Sequence, residues 1–216
     1  MKYTFKKNGF IIVKNSIPEM VVYFCKRYLM LKERVVKTFL DTNYISPYQE
    51  EHGYIQDPYV KNCFAVYGDI AMEVLLAELL PIMQKETGEE LVPTYSYARI
   101  YHKGSVLHKH KDRDSCEIST TINLGGEPWS FYINPNEKEG SPPNNTPSSS
   151  KGIEINLKPG DMLIYKGCLL EHWRKPFKGE NCFQVFLHYN KKNKKNNNLF
   201  DGRRHLGLPD NFEEQV

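Results

Sequence analysis

Hydrophobic positions in the first half of the chain recur at helical spacing in two places, after a short apolar run, Phe10 to Val13, that suits a leading strand. Ser16, Ile17 and Pro18 read as a helix start, because a serine caps free amides and proline is tolerated in a first turn. From Glu19 to about Thr38, the recurrence of Val22, Leu29, Leu31, Val35 and Phe39 predicts a helix resting on the core. A second helix is predicted from Asp69 to about Glu86, with Leu75, Leu76, Leu79 and Leu80 as its packed stripe. Pro81 has no amide to continue the ladder, so the helix should end or kink near Leu80, leaving Ile82 and Met83 beyond the break.

The second half alternates with a period of two, which predicts strands. Thr94 to Tyr101 places Tyr95, Tyr97, Arg99 and Tyr101 on one face. Glu117 to Leu124 sets Ile118, Thr120, Ile122 and Leu124 against Glu117, Ser119, Thr121 and Asn123, one face for the core and one offering small polar groups to a pocket. Trp129 to Ile133, Ile153 to Leu157, Asp161 to Tyr165 and Cys182 to Tyr189 continue the series, interrupted by a polar loop over 136–152. Between the halves, the tyrosine-rich stretch from Tyr44 to Tyr59 reads as a structured crossover or as cover for a pocket.

A chain of 216 residues buries one sizeable core, which favours one elaborated domain: helical support over 1–90, a strand-rich core over 91–189 and a basic extension over 190–216. The sequence has no apolar run long enough for a membrane span and no secretory signal pattern, and its five scattered cysteines suit free thiols in a reducing compartment, so a cytoplasmic protein is expected. A formal charge of +3 and the stretch KKNKKNNN make nucleic acid a disfavoured partner rather than an excluded one. Leu206, Leu208 and Phe212 are expected to bring the end of the chain back onto the domain.

The candidate chemistry lies in LHKHKDRDS, residues 107 to 115. His110 and Asp112 offer an imidazole and a carboxylate one residue apart, and His172 returns a second imidazole after the strand-like GDMLIY. Two histidines and a carboxylate hold one face of an iron ion and leave the opposite positions free. The competing reading is a surface ion pair for His110 and Asp112, with His172 a polar turn residue. His188 sits inside a predicted strand and is the weaker candidate for a distal ligand.

On these residues, together with the Gly167 to Gly179 stretch (GCLLEHWRKPFKG) and QVFLHY at Gln184 to Tyr189, the sequence resembles the iron(II)- and 2-oxoglutarate-dependent oxygenase superfamily over roughly Leu91 to Tyr189. The resemblance implies a mainly β fold with supporting helices around a double-stranded β-helix, a jelly-roll or cupin-like core. It implies Fe(II) on His110, Asp112 and His172, with 2-oxoglutarate and molecular oxygen as cosubstrates. Tyr101 would contact the cosubstrate carboxylate. Many members carry a basic residue nine to eleven positions after the distal histidine, where this chain has Asn181, Cys182 and Phe183. Arg174 is the expected replacement, since an extended backbone points it the same way as His172; Arg99 and Lys178 are the alternatives. The implied activity is hydroxylation of an organic substrate, a peptide or protein side chain first and a small metabolite next. A cupin-like metal enzyme that does not use 2-oxoglutarate and a non-catalytic metal-binding barrel are the competing readings.

Overall fold

A computed structural model describes residues 3–55, 57, 59–140, 146–192 and 199–210. In chain order the elements are α1 (Phe5–Asn8), β1 (Phe10–Val13), α2 (Glu19–Asp41), β2 (Cys63–Tyr67), α3 (Ile70–Thr87), β3 (Leu91–His102), β4 (Leu107–His110), β5 (Ile118–Gly126), β6 (Phe131–Ile133), β7 (Ile153–Ile155), β8 (Met162–Tyr165), β9 (His172–Arg174) and β10 (Asn181–Lys191). The strands form a six-stranded sheet, β1-β8-β5-β10-β3-β2, and a four-stranded sheet, β4-β9-β6-β7, with antiparallel pairing throughout.

The expected double-stranded β-helix, a jelly-roll or cupin-like core, is corrected by this pairing. Among the described residues no ladder joins the two sheets, so both stay open and no barrel closes. With two long helices covering the larger sheet, the class is mixed α/β. Alternation identifies which segments are strands and which face is apolar, but it carries no information about whether two outer edges meet.

The large sheet divides its side chains by parity. Ala98 and Ile100 of β3, Ile118, Ile122 and Leu124 of β5, and Phe183, Val185, Leu187 and Tyr189 of β10 bury against Val22, Cys25, Leu29 and Val36 of α2 and against Met72, Leu76, Leu79 and Met83 of α3. On the other face, Phe10, Leu163 and Tyr165 meet Phe131, Ile133 and Ile155 of the small sheet. The functional residues lie on this inner side.

Both helices depart from expectation in detail. Ser16 caps no amide; its hydroxyl donates to Gly160 O at 2.8 Å, and α2 begins after Pro18 with no side-chain cap. Val22 and Leu29 are buried as expected, whereas Leu31 and Val35 are exposed and Cys25 and Val36 take their places. Helix α3 starts on Asp69, whose carboxylate accepts from Ala71 N and Met72 N, and runs through Pro81 to Thr87. Proline deprives only the Ala77 carbonyl of its helical donor, and Ala77 is exposed to water, while Met83 beyond it is fully buried and rewards continuation.

The basic extension is described in part. Residues 193–198 and Phe212 lie outside the described residues. From Leu199 to Asp210 the chain packs back: Arg203 forms a buried ion pair with Glu73 of α3 at 2.6 Å and donates to Leu208 O and Thr94 O, and Leu206 joins the helix-side core. No described helix is long and apolar enough to cross a membrane.

Candidate metal centre

Two short strands of the small sheet bring the three candidate donors together. His110 ends β4 and His172 begins β9, and the two are register partners. Asp112 follows two residues after β4 and is anchored by its own amide, which donates to Gly167 O at 3.0 Å. Asp112 Oδ1 lies 3.3 Å from His172 Nε2 and 3.5 Å from His110 Nε2, and the three donor atoms all lie within 4.8 Å of one another. Two donors about 2.1 Å from one ion and at right angles sit about 3 Å apart, so this spacing fits a single transition metal.

The hydrogen bonds behind the imidazoles point the same way. His110 Nδ1 is 2.8 Å from His108 O, and His172 Nδ1 is 2.9 Å from Leu170 O. A carbonyl accepts only, so each Nδ1 carries a proton and each Nε2 is the atom that faces Asp112 and can coordinate a metal once deprotonated. His172 is buried, with its ring stacked on Phe131 and edge-on to Tyr165, and its rotation is blocked. Burial pushes the Asp112 carboxyl upward, but His172 and His110 outweigh it and hold Asp112 well below the usual carboxylate range. Burial opposes charge on His110, yet Asp112 raises it above the ordinary imidazole value. The surface-pair reading does not fit a carboxylate that faces two imidazoles, one of them fully enclosed.

The triad lines a cavity of about 900 Å³. Tyr95, Tyr97 and Arg99 of β3 line it, as their shared face predicts, together with Tyr54 and Tyr59 from the tyrosine-rich stretch and His188 of β10. That stretch therefore contributes both cover and crossover, because Tyr44 and Tyr48 remain exposed elsewhere. Asp57 pins it to the sheet: its Oδ2 accepts from Arg99 Nη2 at 2.6 Å, from Arg99 Nε at 2.9 Å and from the Tyr97 hydroxyl at 3.0 Å. Across the cavity Arg113 pairs with Asp201, which also accepts from the Tyr67 hydroxyl at 2.7 Å. Asp57 and Asp201 escape sequence reasoning, since each acquires its role from a partner distant in the chain, while Ser119 and His188 entered it only as a pocket-facing polar group and a weaker ligand candidate.

The four cosubstrate candidates separate clearly. Arg174 is buried on the same strand face as His172; its Nη1 donates to Trp129 O at 2.5 Å, while its Nε is buried without a hydrogen-bond partner among the described residues. Tyr101 is fully buried against the same Trp129, and its hydroxyl is likewise unpartnered. Burial raises the Tyr101 phenol, with Arg99 and Arg174 opposing it. Arg99 lines the cavity but already donates twice to Asp57. Lys178 is exposed and borders a separate surface depression with Trp129 and Phe177, away from the triad.

No protein-family model and no curated protein matches the chain. Solved structures do. HygX from Streptomyces hygroscopicus, with nickel and 2-oxoglutarate bound, is similar at a TM-score of 0.61 and 15% identity, over 87% of this chain and 85% of that one. SnoN, a non-heme α-ketoglutarate-dependent epimerase from nogalamycin biosynthesis, gives a TM-score of 0.62 at 11% identity over 87% and 80%. A prolyl-4-hydroxylase from Pseudomonas putida gives 0.56 at 13% identity over 88% and 96%. At such identities the likeness establishes a shared fold.

Proposed function

We propose that this chain is an oxidoreductase of the iron(II)- and 2-oxoglutarate-dependent oxygenase superfamily. The carrying observation is the convergence of His110 Nε2, His172 Nε2 and Asp112 Oδ1 in the wall of a cavity large enough for an organic molecule, with both Nδ1 atoms held by backbone carbonyls. HygX shares the fold and is described with iron, or with nickel and 2-oxoglutarate, bound.

In this reading His110, Asp112 and His172 hold Fe(II). Arg174 and Tyr101 receive the distal carboxylate of 2-oxoglutarate, because a buried guanidinium nitrogen and a buried hydroxyl without a hydrogen-bond partner among the described residues each leave about 1–3 kcal/mol unsatisfied, which a carboxylate recovers. Iron, 2-oxoglutarate and molecular oxygen supply the oxidising power when bound. The chain supplies the enclosure: the tyrosine-lined walls limit water, and Asp57 and Asp201 keep Arg99 and Arg113 turned to fixed positions. The substrate is a peptide or protein side chain, with a small metabolite as the second class; the cavity's volume and its mixed tyrosine and charged lining support either.

The test is twofold. Anaerobic titration should give one Fe(II) per chain, lost in a folded Asp112→Ala variant. With a redox-inert metal in place, Arg174→Met should weaken 2-oxoglutarate binding while leaving metal affinity near wild type. Unchanged cosubstrate affinity would transfer the anchor to Arg99. Oxygen incorporation into peptide or metabolite pools, matched to succinate formation, then identifies the substrate class.

A further inference from the structure

The carboxylate of Asp112 is divided between two duties. Oδ1 faces both imidazoles, whereas Oδ2 accepts a hydrogen bond from the Ser119 hydroxyl at 2.8 Å. The same Ser119 Oγ lies 3.0 Å from His188 Nδ1. A serine has one proton, and the carboxylate, an acceptor only, takes it, so the Ser119–His188 contact is a donation from His188 Nδ1 to Ser119 Oγ. Ser119 is fully buried on the inner face of β5, and His188 is nearly so on the adjacent β10, its ring against Tyr95 with centroids 4.5 Å apart. Gly167 completes the enclosure. A β-carbon there would stand 2.4 Å from each of Asp112 Oδ2, Ser119 Oγ and the Cys116 carbonyl, so the backbone is pressed against the junction and neither group has room to turn away.

From this geometry we propose that Ser119 and His188 are positioning residues for Asp112, holding Oδ2 away from the metal so that the carboxylate binds through Oδ1 alone. The inference rests on the reading of His110, Asp112 and His172 as metal ligands and adds a determinant of how the third ligand binds. A carboxylate freed at Oδ2 swings or chelates through both oxygens, and either change takes up a position that the substrates need. Ser119 is not among the residues that line the cavity, so it acts through Asp112.

Five proteins test this: wild type, Ser119→Ala, His188→Asn, His188→Leu and Asp112→Ala, each checked for cooperative thermal unfolding. Asparagine keeps an N–H at the position of His188 Nδ1, and leucine does not. Ser119→Ala should lower Fe(II) affinity by roughly 10–100-fold. In the Co(II)-substituted protein it should change the intensity of the visible ligand-field band, the mark of an altered coordination number that a purely structural role would leave unmoved. His188→Leu should follow Ser119→Ala, and His188→Asn should stay near wild type. If Asp112→Ala abolishes binding while Ser119→Ala and His188→Leu keep wild-type affinity and spectrum, the positioning role is overturned and the metal site stands. Undiminished binding in Asp112→Ala overturns both. Should Ser119→Ala not fold, the two His188 variants decide the question, with equal spectra counting against it.

Discussion

Individual side chains carry this site through their partners more than through their own chemistry. Gly167→Ala is the sharpest case: the added methyl meets a backbone carbonyl as well as two side chains, so the Asp112 junction must move. The expected result is weaker Fe(II) binding in a protein that still unfolds cooperatively, read by metal titration. Asp161 makes a comparable point away from the site. Its buried carboxylate accepts from Lys14 Nζ at 2.7 Å, Lys158 N at 2.9 Å and Asn15 N at 3.3 Å. Burial pushes its pKa up, but Lys14 and these amides outweigh it, leaving the folded value below the ordinary one. A depressed folded pKa contributes stability above the unfolded value of about 4 that is lost as pH falls through the folded one. Asp161→Asn should therefore cost about 1–3 kcal/mol at neutral pH in urea unfolding, with the gap to wild type closing below about pH 4. At this scale the candidates legible in the sequence were His110 and Asp112, one residue apart, and His172, set behind a recognisable strand, and the fold brings the three together. The sequence concealed the contact between Ser119 and His188, which spans 69 positions and has no local signature.

Regular elements were legible wherever periodicity was strong. The strands from β3 to β10 appear close to their expected bounds, except β4 and β9, which lie in the stretches read for their candidate ligands and not as strands. β2 was missed because Cys63 to Val66 is buried throughout and so does not alternate. Helix α3 shows the opposite error, a local rule overridden by packing. Because Pro81 is tolerated within a continuous helix, at an exposed position and facing a lost carbonyl bond, Pro81→Ala should stabilise the protein by up to about 3 kcal/mol, measured as a raised unfolding midpoint. Helix α2 lies where the spacing places it, but its buried face is turned slightly from the expected one, with Val36 inside in place of its neighbour Val35.

For the molecule as a whole, the segment from Leu199 to Asp210 ties distant regions together. Arg203 and Glu73 are each almost wholly buried, and Glu73 also accepts from the Gly207 amide and from Ser96 N at 3.2 Å. Arg203→Met should cost about 3–5 kcal/mol because it strands a buried carboxylate, and adding Glu73→Met should recover much of that loss in denaturant unfolding. Composition and alternation indicated a strand-rich core over 91–189 but not the two open sheets, since edge-to-edge closure depends on contacts that no single strand encodes. The order of the larger sheet has a further consequence, in time. β10 lies between β5 and β3, so a nascent chain that has left the ribosome only as far as Glu180 holds two half-sheets with a strand-wide slot between them. Both edges of that slot expose unpaired amides and carbonyls, the condition under which incomplete chains associate. All three metal-binding candidates have by then emerged, yet His188 and the strand that carries it have not. Ribosome-bound chains that have emerged only as far as Glu180 should be protease-sensitive, with protection arriving only once Asn181 to Lys191 has cleared the exit tunnel: the larger sheet is completed by an interior strand that arrives last among its members.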